Sequence, residues 1–258
     1  MPLIVSSTPI GNLKDITLRT LESLKNADLI LCEDTRVTQK LLSHYGIKKT
    51  LLVYNDFKTP HEKIIQELQT GKNIVLVSDA GTPLMSDPGY KLIQECQKHE
   101  ISVTVEPGAS AILSALILSG LPPYPFYFGG FFDPKKSDLT VNATLIFFEA
   151  PHRLLKTLEH LQHIARTISV IREITKKFEE VKTGEASELI GHFTKHPPKG
   201  EIVIMLSPPQ NTEALDVDAE ILTMLEKHSV NDIAKIMSQL YGLNKKEVYK
   251  RALVLKGD

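Results

Sequence analysis

Residues Asn73–Gly89, NIVLVSDAGTPLMSDPG, constrain the fold more than any other stretch of the chain. The apolar run Ile74-Val75-Leu76-Val77 stops abruptly at Ser78-Asp79-Ala80-Gly81-Thr82-Pro83. A second turn-rich group, Ser86-Asp87-Pro88-Gly89, then precedes a helical pattern. A short, β-branched run without polar alternation suits a strand buried on both faces of a parallel sheet. In such sheets ligands bind beyond the carboxyl ends of the strands. Ala80 and Gly81 lack bulk, so a ligand can approach the backbone there, and Ser78, Thr82 and free backbone N–H groups can hydrogen-bond it. Gly, Pro and Asp also mark ordinary turns, so the stretch alone reads equally as a plain strand-to-helix connection.

The rest of the first 120 residues repeats this grammar. Leu3–Ser7 reads as a strand followed by the tight loop Thr8–Asn12, and Ile16, Leu18, Leu21 and Leu24 recur at helical spacing up to Asp28. Leu29–Cys32 is a second buried strand ending in Glu33-Asp34-Thr35-Arg36, and its helix, carrying Val37, Leu41, Leu42 and Tyr45, stops at Gly46. Leu51–Tyr54 is a third strand. Thr59-Pro60-His61-Glu62 reads as a capping box for a helix that Gly71 closes. After the Gly89–His99 helix comes strand Val103–Val105, then Glu106–Ala111 opening an apolar helix through Leu118. Strand–helix alternation of this kind predicts an α/β domain on a mainly parallel sheet, residues 1–120. Its small-residue turns Thr8–Asn12, Ser78–Pro83 and Pro107–Ala111 should open towards one rim.

Leu121-Pro122-Pro123-Tyr124-Pro125 places three prolines within four residues, which no regular element tolerates, and marks a boundary. Beyond it strands are expected at Phe126–Phe132, Thr144–Phe148, Ile168–Ile171, Phe178–Lys182 and Glu201–Leu206, with helices near Pro151–Ile164 and Ala186–Phe193. The higher share of strand predicts a smaller α/β domain with a mixed sheet, residues 121–210. Ser207–Asn211 reads as a second linker. Ala214–Lys256 shows helical periodicity only, acidic at its start (Asp218, Glu220, Glu226) and basic at its end (Lys245, Lys246, Lys250, Arg251, Lys256), so residues 211–258 form a helical tail.

Composition narrows the class. The 258 residues are 42% hydrophobic and 24% charged, ordinary for a water-soluble globular chain with ample length for a core. No apolar run reaches membrane-spanning length and the N-terminus lacks a secretory pattern. The two cysteines, Cys32 and Cys96, sit in apolar surroundings without metal or redox spacing, which points to reduced packing residues of a cytoplasmic protein. A net charge of −1 does not advertise nucleic-acid binding, although a local basic patch can serve. The nine histidines are scattered, and no metal signature, P-loop, G-x-G-x-x-G or nucleophile elbow is present. Gly129-Gly130, within an aromatic strand, reads as a bulge or close backbone approach.

What remains is polar residues at strand ends. Glu33-Asp34-Thr35-Arg36, Glu149-Ala150-Pro151-His152-Arg153 and Arg172-Glu173-Ile174-Thr175-Lys176-Lys177 each gather carboxylates and cations at such a junction. Each also has a structural reading: Asp34 or Thr35 as a helix cap, Glu149 beside a helix dipole, Arg172 and Glu173 in an ion-pair network. Three junctions in one α/β chain favour a site, because α/β enzymes assemble sites from strand-end loops.

In order along the chain, STPIGNLKDITLRTL, LCEDTRVTQKLLSHYGI, LVSDAGTPLMSDPGYKLI, EPGASAILSAL, LIFFEAPHRLLKTL, REITKKFEEVKTG and KGEIVIML resemble the tetrapyrrole-methylase (class III SAM-dependent) superfamily, and within it the branch that methylates cytidine 2′-oxygens of small-subunit rRNA. The resemblance spans Ser7 to about Leu206, and NKKEVYKRAL in the tail is similar too. It implies two α/β domains with an S-adenosylmethionine (SAM) cleft between them and a small C-terminal helical segment. By position it implies cofactor contacts from Ile10, Gly11, Ala80, Gly81, Thr82, Met85, Ser110, Ala111, Phe148, Glu149 and Ala150. The implied reaction is in-line methyl transfer to a ribose 2′-OH, which a base or an orienting group assists. Glu33, Asp34, Glu149, His152 and Glu173 are the catalytic candidates. Arg36, Arg153, Arg172, Lys176 and Lys177 are candidates for RNA phosphates, and Tyr54, Phe131 or Phe132 for stacking on a cytosine. Partners implied are small-subunit rRNA or the assembled subunit, no membrane, and a second copy in a homodimer. The alternatives are a methyltransferase of a small tetrapyrrole-like acceptor and a SAM- or RNA-binding module without turnover. Two departures stand out. Only Ser137–Ala143 joins the strands where the family carries a longer arginine-rich segment, and Tyr54-Asn55-Asp56 replaces a histidine-containing version.

Overall fold

The computed structural model describes residues 2–209, 217–225, 228–241 and 243–256. The chain divides into two compact units, Met1–Pro209 and Gln210–Asp258. Gln210 and Asn211 of the expected linker, Ala214 and Glu226 lie outside the described residues.

The first half of the larger unit is a parallel sheet of β1 (Leu3–Ser6), β2 (Leu29–Cys32), β3 (Leu51–Val53), β4 (Ile74–Val77) and β5 (Val103–Glu106), ordered β3-β2-β4-β1-β5. β4 lies between β2 and β1 and is buried along its whole length, as its unbroken apolar run requires. Helices α1 (Leu18–Asn26), α2 (Thr35–His44), α3 (His61–Gln69), α4 (Tyr90–Lys98) and α5 (Ala111–Ser119) connect the strands or follow them. Each of the first four buries one stripe, such as Leu92 and Cys96 of α4 against Leu76 and Tyr54. Cys32 and Cys96 are free and buried, and burial pushes both thiols up, Cys96 to about 11.

One local expectation is corrected. Thr59 does not cap α3: Pro60 occupies the cap position without a side-chain bond, and the Thr59 hydroxyl accepts the Asn55 N–H at 2.8 Å instead. The capping side chain is spent on closing the loop that enters the helix.

The second sheet contains β6 (Phe126–Phe131), β7 (Thr144–Glu149), β8 (Ile168–Arg172), β9 (Glu180–Gly184) and β10 (Ile202–Leu206), ordered β6-β7-β10-β8-β9. Only β6 and β7 run parallel. Helices α6 (Leu154–Leu161) and α7 (Ala186–Lys195) cover one face through Leu158, Leu161, Leu189 and Phe193. On the other, α5 packs Ile112, Ala115 and Leu116 against Ile146, Ile171, Val203 and Met205. α5 therefore has no polar face to give it amphipathic character. β6 shifts register between Phe128 and Phe131, and a Cβ on Gly129 would lie 2.3 Å from Phe147 Cε1, so the Gly-Gly pair is both a bulge and a close approach.

The short connection from Phe132 to Ala143 is pinned by a residue that sequence patterning did not single out. Arg166, 5% exposed, donates to the carbonyls of Leu139, Val141, Ala143 and Ser207 at 2.6–3.0 Å. Leu139 and Val141 then pack onto the core.

The smaller unit contains α8 (Val217–Leu225), α9 (Val230–Tyr241) and α10 (Lys245–Lys256). They share a core of Ile221, Ile233, Ala234, Met237, Val248 and Ala252, and Arg251 pairs with Asp218. No helix among the described residues is long and apolar enough to cross a membrane.

Candidate active site

β1 lies between β4 and β5, so the carboxyl ends of these strands stand in one row, with Ser6 beside Val77 on one side and Glu106 on the other. The three small-residue turns that follow them are thereby brought together. Thr8 and Gly81 exchange backbone hydrogen bonds at 2.8 and 3.1 Å. Thr8 Oγ1 donates to the Ser78 carbonyl, Ser78 Oγ to the Gly81 carbonyl, and Thr82 Oγ1 to the Ala109 carbonyl at 3.2 Å. The Ser78 and Thr82 hydroxyls, expected to bind a ligand, thus hold the loops to each other. Gly81 has φ +82°, and a Cβ there would sit 3.1 Å from Ile10 Cγ2. The turn needs glycine both for its left-handed backbone and for the space it leaves.

The facing wall comes from the second sheet. β10 runs antiparallel between β7 and β8, so its first residue, Ile202, pairs with Glu149 at the end of β7 and with Arg172 at the end of β8. Between the walls lies a cavity of about 410 Å³, within the range of about 300–1,000 Å³ usual for small-molecule sites. Ile10, Ala80, Gly81, Thr82, Met85, Ser110, Ala111, Phe148, Glu149 and Ala150 all line it. Gly11 does not. The aliphatic stem of Lys176 lies over it, so that a Cβ on Gly11 would meet Lys176 Cγ at 2.5 Å. Asp79, Ser86, Asp87, Ile112, Pro151, Ile174 and Gly200–Val203 also line the cavity, beyond the residues that the resemblance implies. The SDPG turn was a sequence signal for Asp87. The entry of residues 200–203 depends on antiparallel pairing that strand patterns do not encode.

The charged candidates separate by their partners. Glu149 is 3% exposed. Its Oε1 accepts from the Ala150 N–H and Arg153 Nε, both at 2.7 Å, and its Oε2 from Thr157 Oγ1 at 2.5 Å. Arg153 also donates to the Phe132 carbonyl. Asp34 caps α2 through the Arg36 N–H and pairs with its guanidinium, and these hydrogen bonds hold its carboxyl down at about 2. Glu33 is exposed, with its carboxyl pushed up by partial burial and by Asp79 and Asp34. For Glu173, burial opposes ionisation. The Lys176 ammonium at 2.9 Å and the Glu201 N–H outweigh it, and the carboxyl stays below its usual range. Lys176 also reaches Glu201, and Arg172 pairs across the sheet with Glu180. His152 and Lys177 are exposed, and His152 is not part of the cavity lining.

Among the aromatic candidates, Tyr54 and Phe132 are each 1% exposed, and Tyr54 OH is spent on Asp56 and His61. Neither offers an open face to a base, because both are core side chains. Phe131 is 59% exposed, lines the cavity and meets Phe148 in an edge-to-face contact. Among the described residues, no three His, Cys, Asp or Glu side chains converge as ligands for a metal.

Two α/β halves closing on one cleft from their strand ends define a methylase fold shared with solved structures. Diphthine synthase superposes with a TM-score of 0.61 at 18% identity, over 80% of this chain and 89% of its own. A uroporphyrin-III-C-methyltransferase from Thermus thermophilus gives 0.59 at 18% identity, over 79% and 93%. Residues 3–190 match the family described as Tetrapyrrole (Corrin/Porphyrin) Methylases, and the chain belongs to it. Its relatives include proteins named Ribosomal RNA small subunit methyltransferase I. That of Mesorhizobium japonicum is 42% identical, covering 98% of this chain and 92% of the relative. That of Bacillus subtilis is 41% identical over 98% and 89%, and that of Thermotoga maritima 45% identical over 80% and 97%.

Proposed function

We propose that this protein is a cytoplasmic SAM-dependent methyltransferase that modifies the 2′-oxygen of a cytidine ribose in small-subunit rRNA. The observation that carries the reading is the 42% identity, over 98% of the chain, to a protein named Ribosomal RNA small subunit methyltransferase I. The lining of the cavity fits SAM. Ile10, Met85, Phe148 and Val203 supply apolar surface for an adenine and a methionine stem, and the left-handed Gly81 turn leaves backbone room beside them. Asp79 and Asp87 offer negative charge to a cationic ligand. When bound, SAM supplies a methyl group activated by a positively charged sulfur.

The protein's own groups then position the acceptor. Phe131, exposed at the cavity wall, offers a ring face for the target base. Glu149 acts as an anchor: it fixes the Ala150–Arg153 turn, because all its bonds go to the protein. Arg36, Arg153, Arg172 and Lys176 each already face a carboxylate, so a phosphate has to compete for them, and Lys177 is the cation of this set whose ammonium lies over a ring, Phe178, instead. The larger unit is read as two α/β domains, 1–120 and 121–210, followed by the helical tail 211–258. A homodimer is supported by Leu113 and Ile117, one turn apart on α5 and both exposed.

The test is transfer of labelled methyl from SAM to small ribosomal subunits that lack the modification, followed by nuclease mapping. Label on one cytidine ribose is the expected result. No label, with SAM binding measured separately, overturns the rRNA reading and points to a small-molecule acceptor.

A further inference from the structure

An enzyme that acts on rRNA has to hold a polyanion, and contacts to phosphates supply much of such binding. In the larger unit Arg36, Arg153, Arg172 and Lys176 each face a carboxylate. The short connection between β6 and β7 carries only Lys135 and Lys136 as basic residues, and Lys136 pairs with Asp133.

α10 of the smaller unit is different. Its twelve residues carry five cations, Lys245, Lys246, Lys250, Arg251 and Lys256, against one carboxylate, Glu247. Packing decides which of them face outwards. Val248 and Ala252 are buried, Leu253 and Leu255 lie half-buried beside them, and α10 packs on both α8 and α9. Lys245, Lys246, Tyr249 and Lys250 are exposed. Steps of three and four residues bring these four side chains together over the first two turns. Arg251 pairs with Asp218, whereas among the described residues no carboxylate meets the ammonium groups of Lys245, Lys246 or Lys250.

This arrangement does not serve the helix itself. Lys246 and Lys250 stand one turn apart and repel each other, and lysines in a first turn oppose the helix dipole. α10 is started instead by Asn244, whose Oδ1 accepts the Lys246 N–H at 3.0 Å. Three residues, 242–244, join α9 to α10, so the basic face belongs to the second helix of a helix–turn–helix pair.

We propose that the face of α10 formed by Lys245, Lys246, Tyr249 and Lys250 binds the phosphate backbone of small-subunit rRNA and holds it for the cleft of the larger unit. This rests on the rRNA reading above and gives it a substrate-holding surface. The major groove of helical RNA is too deep and narrow for side chains to read, so the face selects charge and shape rather than sequence. Tyr249, 40% exposed among the lysines, offers a ring to an unstacked base. Because the two units are one chain, binding here raises the concentration of rRNA at the cleft.

The experiment uses the full chain as wild type, as the triple variant Lys245→Ala/Lys246→Ala/Lys250→Ala, and as the same triple change to Arg. Filter binding to small ribosomal subunits over a salt series is measured beside KM, kcat, calorimetric SAM affinity and the melting curve. The alanine variant is expected to bind subunits roughly 10–100-fold more weakly and to lose about two to three units of slope in log Kd against log salt. Its KM should rise alike while kcat and SAM affinity hold, and the arginine variant should behave as wild type. An alanine variant with wild-type Kd, KM and slope overturns the proposal. So does an arginine variant as impaired as the alanine one, which makes the lysines structural. Weaker binding with an unchanged salt slope points to a protein partner and overturns it too. Wild type that transfers no methyl overturns the methyl-transfer reading alone; the binding arm still decides the role of α10.

Discussion

Glu149 is the sharpest test of the division between anchoring and chemistry. Its side chain is fully buried and its carboxylate takes hydrogen bonds from the Ala150 N–H, Arg153 and Thr157. Replacement by Ala leaves the Ala150 N–H and the Thr157 hydroxyl without their acceptor, at about 1–3 kcal/mol each. The Arg153 guanidinium is 42% exposed and regains water, so its share is discounted. The sum, about 3–5 kcal/mol, matches the usual cost of removing one partner of a buried pair. In a unit of this size that lowers the melting temperature by roughly 6–20 °C. Glu149→Gln retains the shape and an acceptor for Arg153, and its amide can donate to the Thr157 oxygen, so about 1–2 kcal/mol is expected. Scanning calorimetry, with and without SAM, measures both. The expected pattern is a large loss of stability in the Ala variant, most of it recovered in Gln, with methyl transfer following the folded fraction. An Ala variant that melts like wild type, binds SAM and transfers no methyl refutes the reasoning and makes Glu149 a reacting group.

Three further outcomes are expected. Gly81→Val should weaken SAM binding in a calorimetric titration, because a Cβ at φ +82° meets Ile10 Cγ2 and narrows the turn; unchanged affinity removes this turn from the cofactor site. Arg166→Ala should cost about 3–5 kcal/mol, since four carbonyls lose a buried charged donor, and limited proteolysis should then cut first between residues 133 and 143. Asp34 has its carboxyl lowered to about 2 by Arg36, below the ordinary value of about 3.9, so its stabilising contribution is complete above the latter and lost as pH falls through the former. The melting-temperature difference between wild type and Asp34→Ala should therefore close as pH approaches 2, and a difference that persists there refutes the linkage.

The sequence by itself determined the elements and the class of the sheets. The unbroken apolar run Ile74–Val77 demanded burial on both faces, and β4 is buried at every position. Regular alternation of such runs with amphipathic stripes left a parallel α/β sheet as the consistent outcome, and the Gly81 turn marked where a ligand could come close. Tertiary structure decided which turns meet and which charges stay available. The order β3-β2-β4-β1-β5 puts three turns side by side although they lie up to about a hundred residues apart in the chain, and antiparallel β10 brings Ile202 beside Glu149. The same letters also had two readings that only packing could separate. Tyr54 and Phe132 became core, whereas Phe131, next to Phe132 but across the pleat, stayed open to the cavity. Glu149 found four donors, while Asp87 found two carboxylate neighbours, Glu33 and Asp79. Hydrophobic periodicity is a local property and survives in one dimension. Burial, pairing and proton affinity are set by neighbours that arrive through the fold, from positions that spacing along the chain does not reveal.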